Sequence, residues 1–169
     1  MKHFKTLFIA AILFMSATTL SIAQSKIAHI NTTDLVTSMP DMKTAQAQIE
    51  EIGKNYEKEI QGMVNEYKKK IEQYEKEAPT KTDEENQTRS VEVQTMQQKI
   101  QQYQANAQQE LQKKEGELLK PITEKAKAAI LKVAKAQGFN YVLDSSQGGG
   151  VIMAEGKDLL KDVQKELGF

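Results

Sequence analysis

The sequence contains no cysteine and no tryptophan, and only 6% of its residues are aromatic. Without cysteine the chain forms no disulfide and no thiolate metal site, so its stability has to come from packing or from partner subunits. So few large aromatic side chains are a poor basis for the dense core of a compact enzyme. These absences point away from a disulfide scaffold and from a globular enzyme.

The chain also lacks an excess of either charge. Lys and Arg together number 23, and so do Asp and Glu. A general nucleic-acid-binding surface needs a basic excess, and juxtamembrane attraction to anionic lipid needs basic clusters as well. We therefore predict no nucleic-acid partner, and the net charge gives no support for contact with a membrane surface.

A continuous apolar run occurs only near the N-terminus. It covers residues 7–15, follows Lys2 and Lys5, and precedes a small-x-small site that ends at Ala23. A membrane-spanning helix needs roughly 20 apolar residues, so the pattern predicts a cleavable secretory signal peptide, residues 1–23. With no cysteine to carry a lipid anchor, we expect an exported mature chain with 21 basic and 23 acidic residues.

Residues 41–137 have the period of an α-helix. Apolar or small residues recur at spacings of three and four, whereas the other positions are mostly Lys, Glu or Gln. Pro79 interrupts the pattern, and Thr82 with Glu85 predicts a capping box at the start of a second helix. We predict an antiparallel helical-hairpin arm with its tip near residues 78–82.

Boundary residues and short apolar runs surround this arm. Asp41 is predicted as the N-cap of the first helix, and Gly138 as the residue that ends the second. Runs at 27–30, 139–143 and 151–153 predict strands, the last two as a hairpin around a Gly-rich loop. A final amphipathic helix is expected to follow these strands.

Residues 24–40 and 138–169 are predicted to form a body of short strands plus the C-terminal helix. Such a small body needs disulfides, a metal or oligomerisation to be stable. Strands with open edges offer a route to assembly. A charge at Val142 or Val151 is therefore expected to dissociate the oligomer. The oligomer-interface candidates are Ile27, Ile30, Phe139, Tyr141, Val142, Leu143, Val151 and Met153.

No catalytic pattern is present in the sequence. A phosphate loop needs Gly-x4-Gly-Lys-Ser/Thr, and the distance from Gly150 to Gly156 is one residue too long. The mature chain has one histidine, His29, in a predicted strand, where packing is the simpler interpretation. We predict no enzyme activity, no cofactor and no metal.

Two stretches resemble a known family. PITEKAKAAILKVAKAQGFNYVLDSS (residues 121–146) and VIMAEGKDLLKDVQKELG (residues 151–168) are similar to the C-terminal part of the OmpH/Skp family of periplasmic chaperones. The resemblance implies a mainly α fold with a small β body, assembled as a jellyfish-shaped homotrimer. It also implies three helical-hairpin arms that hold unfolded outer-membrane β-barrel proteins without ATP.

A chaperone that holds many clients gains from dispersed, adaptable apolar contacts. Methionine is flexible and tyrosine is amphipathic, and both occur on the arm. An alternative is that these residues only join the two helices of the hairpin. The client-contact candidates are Met63, Tyr67, Tyr74, Met96 and Tyr103.

The function predicted from the sequence is an ATP-independent periplasmic holdase that prevents aggregation of unfolded outer-membrane proteins on their way to the outer membrane. The alternative is a structural coiled-coil adaptor or spacer of the cell envelope with one fixed partner. A fixed partner would dock on a defined apolar stripe, whereas a holdase would bind several unfolded proteins.

Overall fold

The structure is a computed structural model and describes residues 25–169. The predicted signal peptide lies outside the described residues. Three short strands and four α-helices succeed one another along the described chain. Their bounds are β1 (Ile27–Ile30), α1 (Thr32–Ser38), α2 (Pro40–Glu77), a 3₁₀ turn (Ala78–Thr80), α3 (Asp83–Ala136), β2 (Tyr141–Asp144), β3 (Lys157–Asp158) and α4 (Leu160–Leu167).

The two long helices, α2 and α3, form the arm. They contain 38 and 54 residues, which corresponds to about 57 and 81 Å. The N–H of Glu85 donates to the Thr82 hydroxyl (3.2 Å), and the N–H of Thr82 donates to the Glu85 carboxylate (2.9 Å). The predicted capping box is therefore confirmed. The helices run antiparallel and are joined from base to tip by the pairs Lys125–Asp41, Tyr103–Glu59 and Arg89–Glu77.

Helix α2 begins two residues earlier than the predicted N-cap implies. Met39 is its N-cap and Pro40 its first residue, so the prediction of Asp41 as the N-cap was wrong. Proline favours the first helical position because its fixed φ suits the helix and its missing N–H needs no partner there. Asp41 lies in the first turn, where the helix dipole favours a negative charge, and pairs with Lys125 (2.7 Å).

The strands form one parallel sheet in the order β2-β1-β3. Strand β1 pairs along its whole length with β2 and, on its other side, with Lys157 and Asp158 of β3. The predicted β-hairpin was wrong, because residues 151–153 are not a strand. Parallel strands need a crossover connection, and residues 145–156 provide it by passing from β2 to the far side of β1.

Phe139, which was predicted to begin a strand, instead closes helix α3. Gly138 has a φ of +74°; its N–H donates to the Lys135 carbonyl (3.1 Å), and the Phe139 N–H donates to the Ala134 carbonyl (2.9 Å). This is the Schellman pattern, which favours glycine at the left-handed position and confirms the predicted role of Gly138. Strand β2 therefore starts only at Tyr141, and the Phe139 side chain packs against the core.

Asp144 connects the end of β2 to the start of α1. Its carboxylate accepts hydrogen bonds from the Thr32 hydroxyl (2.6 Å) and from the N–H of Ser146 (3.0 Å). Burial alone raises the pKa of Asp144, but these hydrogen bonds outweigh it and lower the pKa below its ordinary value. A Cβ at Gly149 would lie 2.6 Å from the Asp144 carbonyl oxygen, so the turn that begins the crossover requires glycine there.

The hydrophobic core lies at the base of the arm, where the sheet, α1 and α4 meet the adjoining ends of the long helices. Further along the arm few side chains are buried; Ile100 and Ala107 are among them. The structure confirms the predicted fold class, mainly α with a small β body and a long helical hairpin. The largest fully buried side chains are Ile30, Leu35, Met39, Leu159 and Val163.

Candidate functional site

In the middle of the arm, α2 and α3 meet through a polar and aromatic contact. The Tyr103 hydroxyl donates to the Glu59 carboxylate, and the Tyr103 ring stands edge-on to Tyr56 with 6.2 Å between the ring centroids. The hydrogen bond to Glu59 raises the pKa of Tyr103 to about 12, so the hydroxyl remains a donor at physiological pH. The contact joins the helices while both rings stay only half-buried.

Two methionines line one groove nearer the tip of the arm. Met63 and Met96, together with Glu66, Lys99 and Ile100, surround a volume of about 220 Å³. Both methionines are half-buried. Because methionine side chains are unbranched and polarizable, such a groove adapts to apolar groups of different shapes.

The tip contains the sequence's one arginine, Arg89. Its guanidinium lies 4.5 Å from the centroid of the Tyr74 ring, and Nη2 is 2.5 Å from the Glu77 carboxylate. The Tyr74 hydroxyl donates to Glu92, which also pairs with Lys70 (2.9 Å). The planar guanidinium stacks on the ring and binds a carboxylate at the same time, which lysine does not reproduce. This cluster ties the end of α2 to the start of α3.

The carboxylates of this cluster are held in their charged form. Hydrogen bonds from Gln73 and then Arg89 lower the pKa of Glu77, and the hydrogen bond from Tyr74 leads the causes that lower the pKa of Glu92. A carboxyl with a lowered folded-state pKa stabilises the fold above its unfolded-state pKa. That contribution is lost as the pH falls through the folded-state value. We therefore expect the tip contacts to weaken as the pH falls through the folded-state pKa values of Glu77 and Glu92.

The five predicted client-contact residues lie on α2 and α3 and are half-buried, so each keeps part of its surface open to solvent. Arg89 was missed by the sequence reasoning. The sequence could have identified it, because Arg89 is the one arginine among 23 basic residues. The five are Met63, Tyr67, Tyr74, Met96 and Tyr103.

Replacing Arg89 by Lys should loosen the tip without unfolding the body. Lysine keeps the charge beside Glu77 but loses the stacked guanidinium on Tyr74. Amide hydrogen exchange should become about 2–5-fold faster around the tip, the change that corresponds to one exposed cation–π contact, and remain unchanged in β1 and β2. Lys81→Arg is the control at an exposed tip position and should exchange as the wild type does. Equal exchange in Arg89→Lys and wild type would show that the stacking does not hold the tip.

The sheet has one covered face and one open face. Side chains alternate along a strand, so Ala28 and Ile30 point to the core and are 2% and 1% exposed. On the opposite face Ile27, Tyr141 and Leu143 are 51%, 60% and 43% exposed. Three large apolar side chains on one small face form a patch typical of an interaction surface.

The oligomer-interface candidates separate into two groups. Ile30 is buried in the core of its own protomer, and Phe139 and Val142 are partly buried against that core, where they line a groove between β2 and α3. A charge at Val142 would lie against the protomer's own core. It should therefore destabilise the protomer itself, so dissociation alone is no longer the expected result. The candidates that keep solvent-accessible side chains are Ile27, Tyr141, Leu143, Val151 and Met153.

Two further exposed apolar residues were missed by the sequence reasoning. Ile152 is fully exposed at 104%, and Leu131 on α3 is 48% exposed. Leu131 lies two positions after Ala129 and two before Val133, so it falls outside the apolar stripe of its helix. An apolar residue off the stripe is the signal that could have identified it.

No metal-binding or membrane-spanning feature is found in residues 25–169. No group of three or more His, Asp or Glu side chains is placed to hold a metal ion. None of the helices in this range has a stretch both long and apolar enough to traverse a lipid bilayer.

The described chain is a long helical hairpin carried on a small parallel sheet. It resembles a crystal structure from Caulobacter crescentus described as a candidate outer membrane chaperone (OmpH-like), with a TM-score of 0.76 and 17% identity over 85% of this chain and 83% of that one. A family model for outer membrane protein (OmpH-like) matches residues 26–167. The chain belongs to the OmpH-like family, which supports a chaperone-type role. A search of curated proteins gave no significant match.

Proposed function

We propose that this chain is an ATP-independent periplasmic holdase that binds unfolded outer-membrane β-barrel proteins and prevents their aggregation. One observation supports the proposal above all. In the arm of this OmpH-like protein, side chains where α2 and α3 meet are half-buried and do not form a closed core. A holdase has to bind many sequences weakly and release them, and adaptable methionine and tyrosine contacts suit that task.

Client contact is assigned to the grooves beside this junction. The groove is lined by Met63, Met96 and Ile100 together with the charged residues Glu66 and Lys99. The charged side chains keep the groove hydrated between clients, whereas the methionines contact apolar segments when a client is present. Unfolded β-barrel chains alternate apolar and polar residues, so they present both kinds of group at short intervals.

Assembly into a homotrimer is the second part of the proposal. The open face formed by Ile27, Tyr141 and Leu143 is apolar and exposed in the single protomer, and a body of this size is poorly stabilised by itself. Covering that face with further copies removes it from water and places three arms on one body. The predicted signal peptide, residues 1–23, would deliver the chain to the periplasm.

The holdase proposal predicts suppressed light scattering. A urea-unfolded outer-membrane β-barrel protein diluted into buffer without ATP should scatter markedly less when the mature chain is present. A soluble, folded protein of equal mass serves as the control and should have no effect. Weakening of the suppression with added salt would identify a contribution from charge. Unchanged scattering in the presence of folded, oligomeric protein would overturn the holdase proposal and favour an adaptor with one fixed partner.

A further inference from the structure

We propose that one face of α3, over residues 94–112, holds clients through hydrogen bonds from its glutamine side chains to the main chain of the unfolded protein. The inference rests on the proposed holdase function and deepens it, because it names the part of a client that the arm recognises. This surface is called the glutamine face below. Its members are Gln94, Gln97, Gln98, Gln101, Gln102, Gln104, Gln108, Gln109 and Gln112.

The nine glutamines share one side of the helix. At about 100° per residue, all of them fall within an arc of about 160°, which they share with Ala105. The buried residues Ile100 and Ala107 lie outside this arc, on the side towards α2, and all nine glutamines are exposed. At about 1.5 Å per residue the face is about 27 Å long. Val91, which is 52% exposed, extends it towards the tip.

The glutamine face carries no charge, in contrast to the helix beside it. Residues 94–112 contain two charged residues, Lys99 and Glu110, and both lie outside the arc of the glutamines. The neighbouring stretch of α2, residues 53–71, contains eight charged residues. Gln, Lys and Glu have similar helix propensities, so helix formation does not explain the difference. Solubility alone favours a surface with charges of both signs, which α2 has and this face of α3 lacks.

The amides of this face are free to bind another chain. Within residues 25–169, the glutamine side chains that form hydrogen bonds are all outside residues 94–112. They are Gln61, Gln73, Gln137 and Gln164.

A glutamine amide has the same hydrogen-bonding groups as a peptide bond. Each presents N–H donors and a carbonyl acceptor without a net charge. An unfolded client exposes peptide groups along its whole length, whatever its sequence. A neutral face with many donors and acceptors is therefore complementary to the main chain, which every client shares, and does not select clients by the charge of their side chains.

Two physical properties keep this contact weak and independent of sequence. Covering a neutral amide costs much less than covering a charged side chain, so a client displaces water more readily from this face than from α2. Turns of a helix repeat about every 5.4 Å, whereas peptide groups on one side of an extended chain recur about every 6.8 Å. Flexible glutamine side chains bridge this difference, and because the two repeats do not match, no single register is favoured.

The first test removes four amides from one row of the glutamine face. Alanine adds no charge and favours the helix. The concentration of mature chain that halves the light scattering of a urea-unfolded outer-membrane β-barrel protein should rise about 5–30-fold, the loss that corresponds to one or two hydrogen bonds. The same loss is expected for an acidic and a basic client, and a loss confined to one of them would overturn main-chain recognition. The substitutions are Gln97→Ala, Gln101→Ala, Gln104→Ala and Gln108→Ala.

A second variant places charges on the same row. Glutamate followed by lysine four residues later supports the helix, and the net charge is unchanged. This variant should lose holding activity at least as strongly as the alanine variant. If it alone loses activity, the face acts through its lack of charge and not through its amides, which would overturn the hydrogen-bonding proposal. The substitutions are Gln97→Glu, Gln101→Lys, Gln104→Glu and Gln108→Lys.

The control changes four exposed residues of α2 to glutamine, again with no change in net charge. It should hold clients as the wild type does, with the same mass and helical circular dichroism. A loss equal to that of the alanine variant would show that the effect is not specific to the glutamine face and would overturn the proposal. The substitutions are Glu51→Gln, Glu57→Gln, Lys58→Gln and Lys68→Gln.

The same assay separates this inference from the function on which it rests. A wild-type chain that does not suppress scattering would overturn the holdase proposal itself. A wild-type chain that holds clients, together with an alanine variant that holds them equally well, would overturn the role of the glutamine face alone.

Discussion

A negative charge at Leu143 should convert the proposed trimer into single, folded protomers. Leu143→Asp places the charge on the open face of the sheet, where the side chain is 43% exposed in the protomer and would be covered in the trimer. Burying an unpaired carboxylate at an interface costs several kcal/mol, and a threefold assembly contains three copies of it. Light scattering should report a mass close to one protomer, with the helical circular dichroism preserved.

Two further variants distinguish dissociation from unfolding. Asn106→Asp adds the same charge at an exposed arm position and should leave the assembly intact. Val142→Asp, one residue from Leu143, directs its charge towards the protomer core and should lower the thermal stability of the protomer itself. If Leu143→Asp remains trimeric at micromolar concentration, the open face is not the assembly surface.

Leu35→Ala should cause a large loss of stability in the body. Leu35 is completely buried on α1, a helix that contacts α2, α3 and α4. Truncating a fully buried leucine costs about 2–5 kcal/mol, a large fraction of the roughly 5–15 kcal/mol that stabilises an ordinary domain. Urea unfolding should show a clearly lower midpoint than the wild type.

The matched truncation is Val91→Ala on the arm, where the side chain is 52% exposed. Surface substitutions of this kind change stability by about 0.5 kcal/mol or less. The contrast between the two variants therefore measures how far the stability of the protein resides in the body. Equal midpoints for both would mean that α1 does not hold the body together.

The helices of this protein could be predicted closely because their signals are local. Thr82 and Glu85 are three residues apart, and Gly138 acts within the last turn of α3, so the relevant contacts lie inside a short window of sequence. The predicted N-cap of α2, Asp41, lies only two positions after the observed one, Met39. The same local period also placed the client-contact candidates on the surface where α2 and α3 meet.

The sheet could not be predicted to the same extent, because its strands are defined by distant partners. A hydrogen bond from the Lys26 N–H to the Asn140 side chain spans 114 positions, and Lys157 and Asp158 form a strand only because β1 lies beside them. A short apolar run such as residues 151–153 has the same composition whether it pairs or remains exposed. Alternation along a strand places Ile27 and Ala28 on opposite faces of the sheet, but which face is the inner one depends on helices elsewhere in the chain.

The central position of β1 in the sheet also predicts an order of events during folding. The strand nearest the start of the described chain has both of its partners near the end, so a chain that emerges from its N-terminus cannot complete the body until almost all of it is available. The hairpin needs no such delay, since helices and short turns form rapidly from local contacts. Once α2 and α3 have paired, the positions next to β1 and β2 are already close together, and the entropy of closing a loop of more than a hundred residues no longer opposes the sheet. We therefore expect the arm to form first and to bring together the strands of the body at its base.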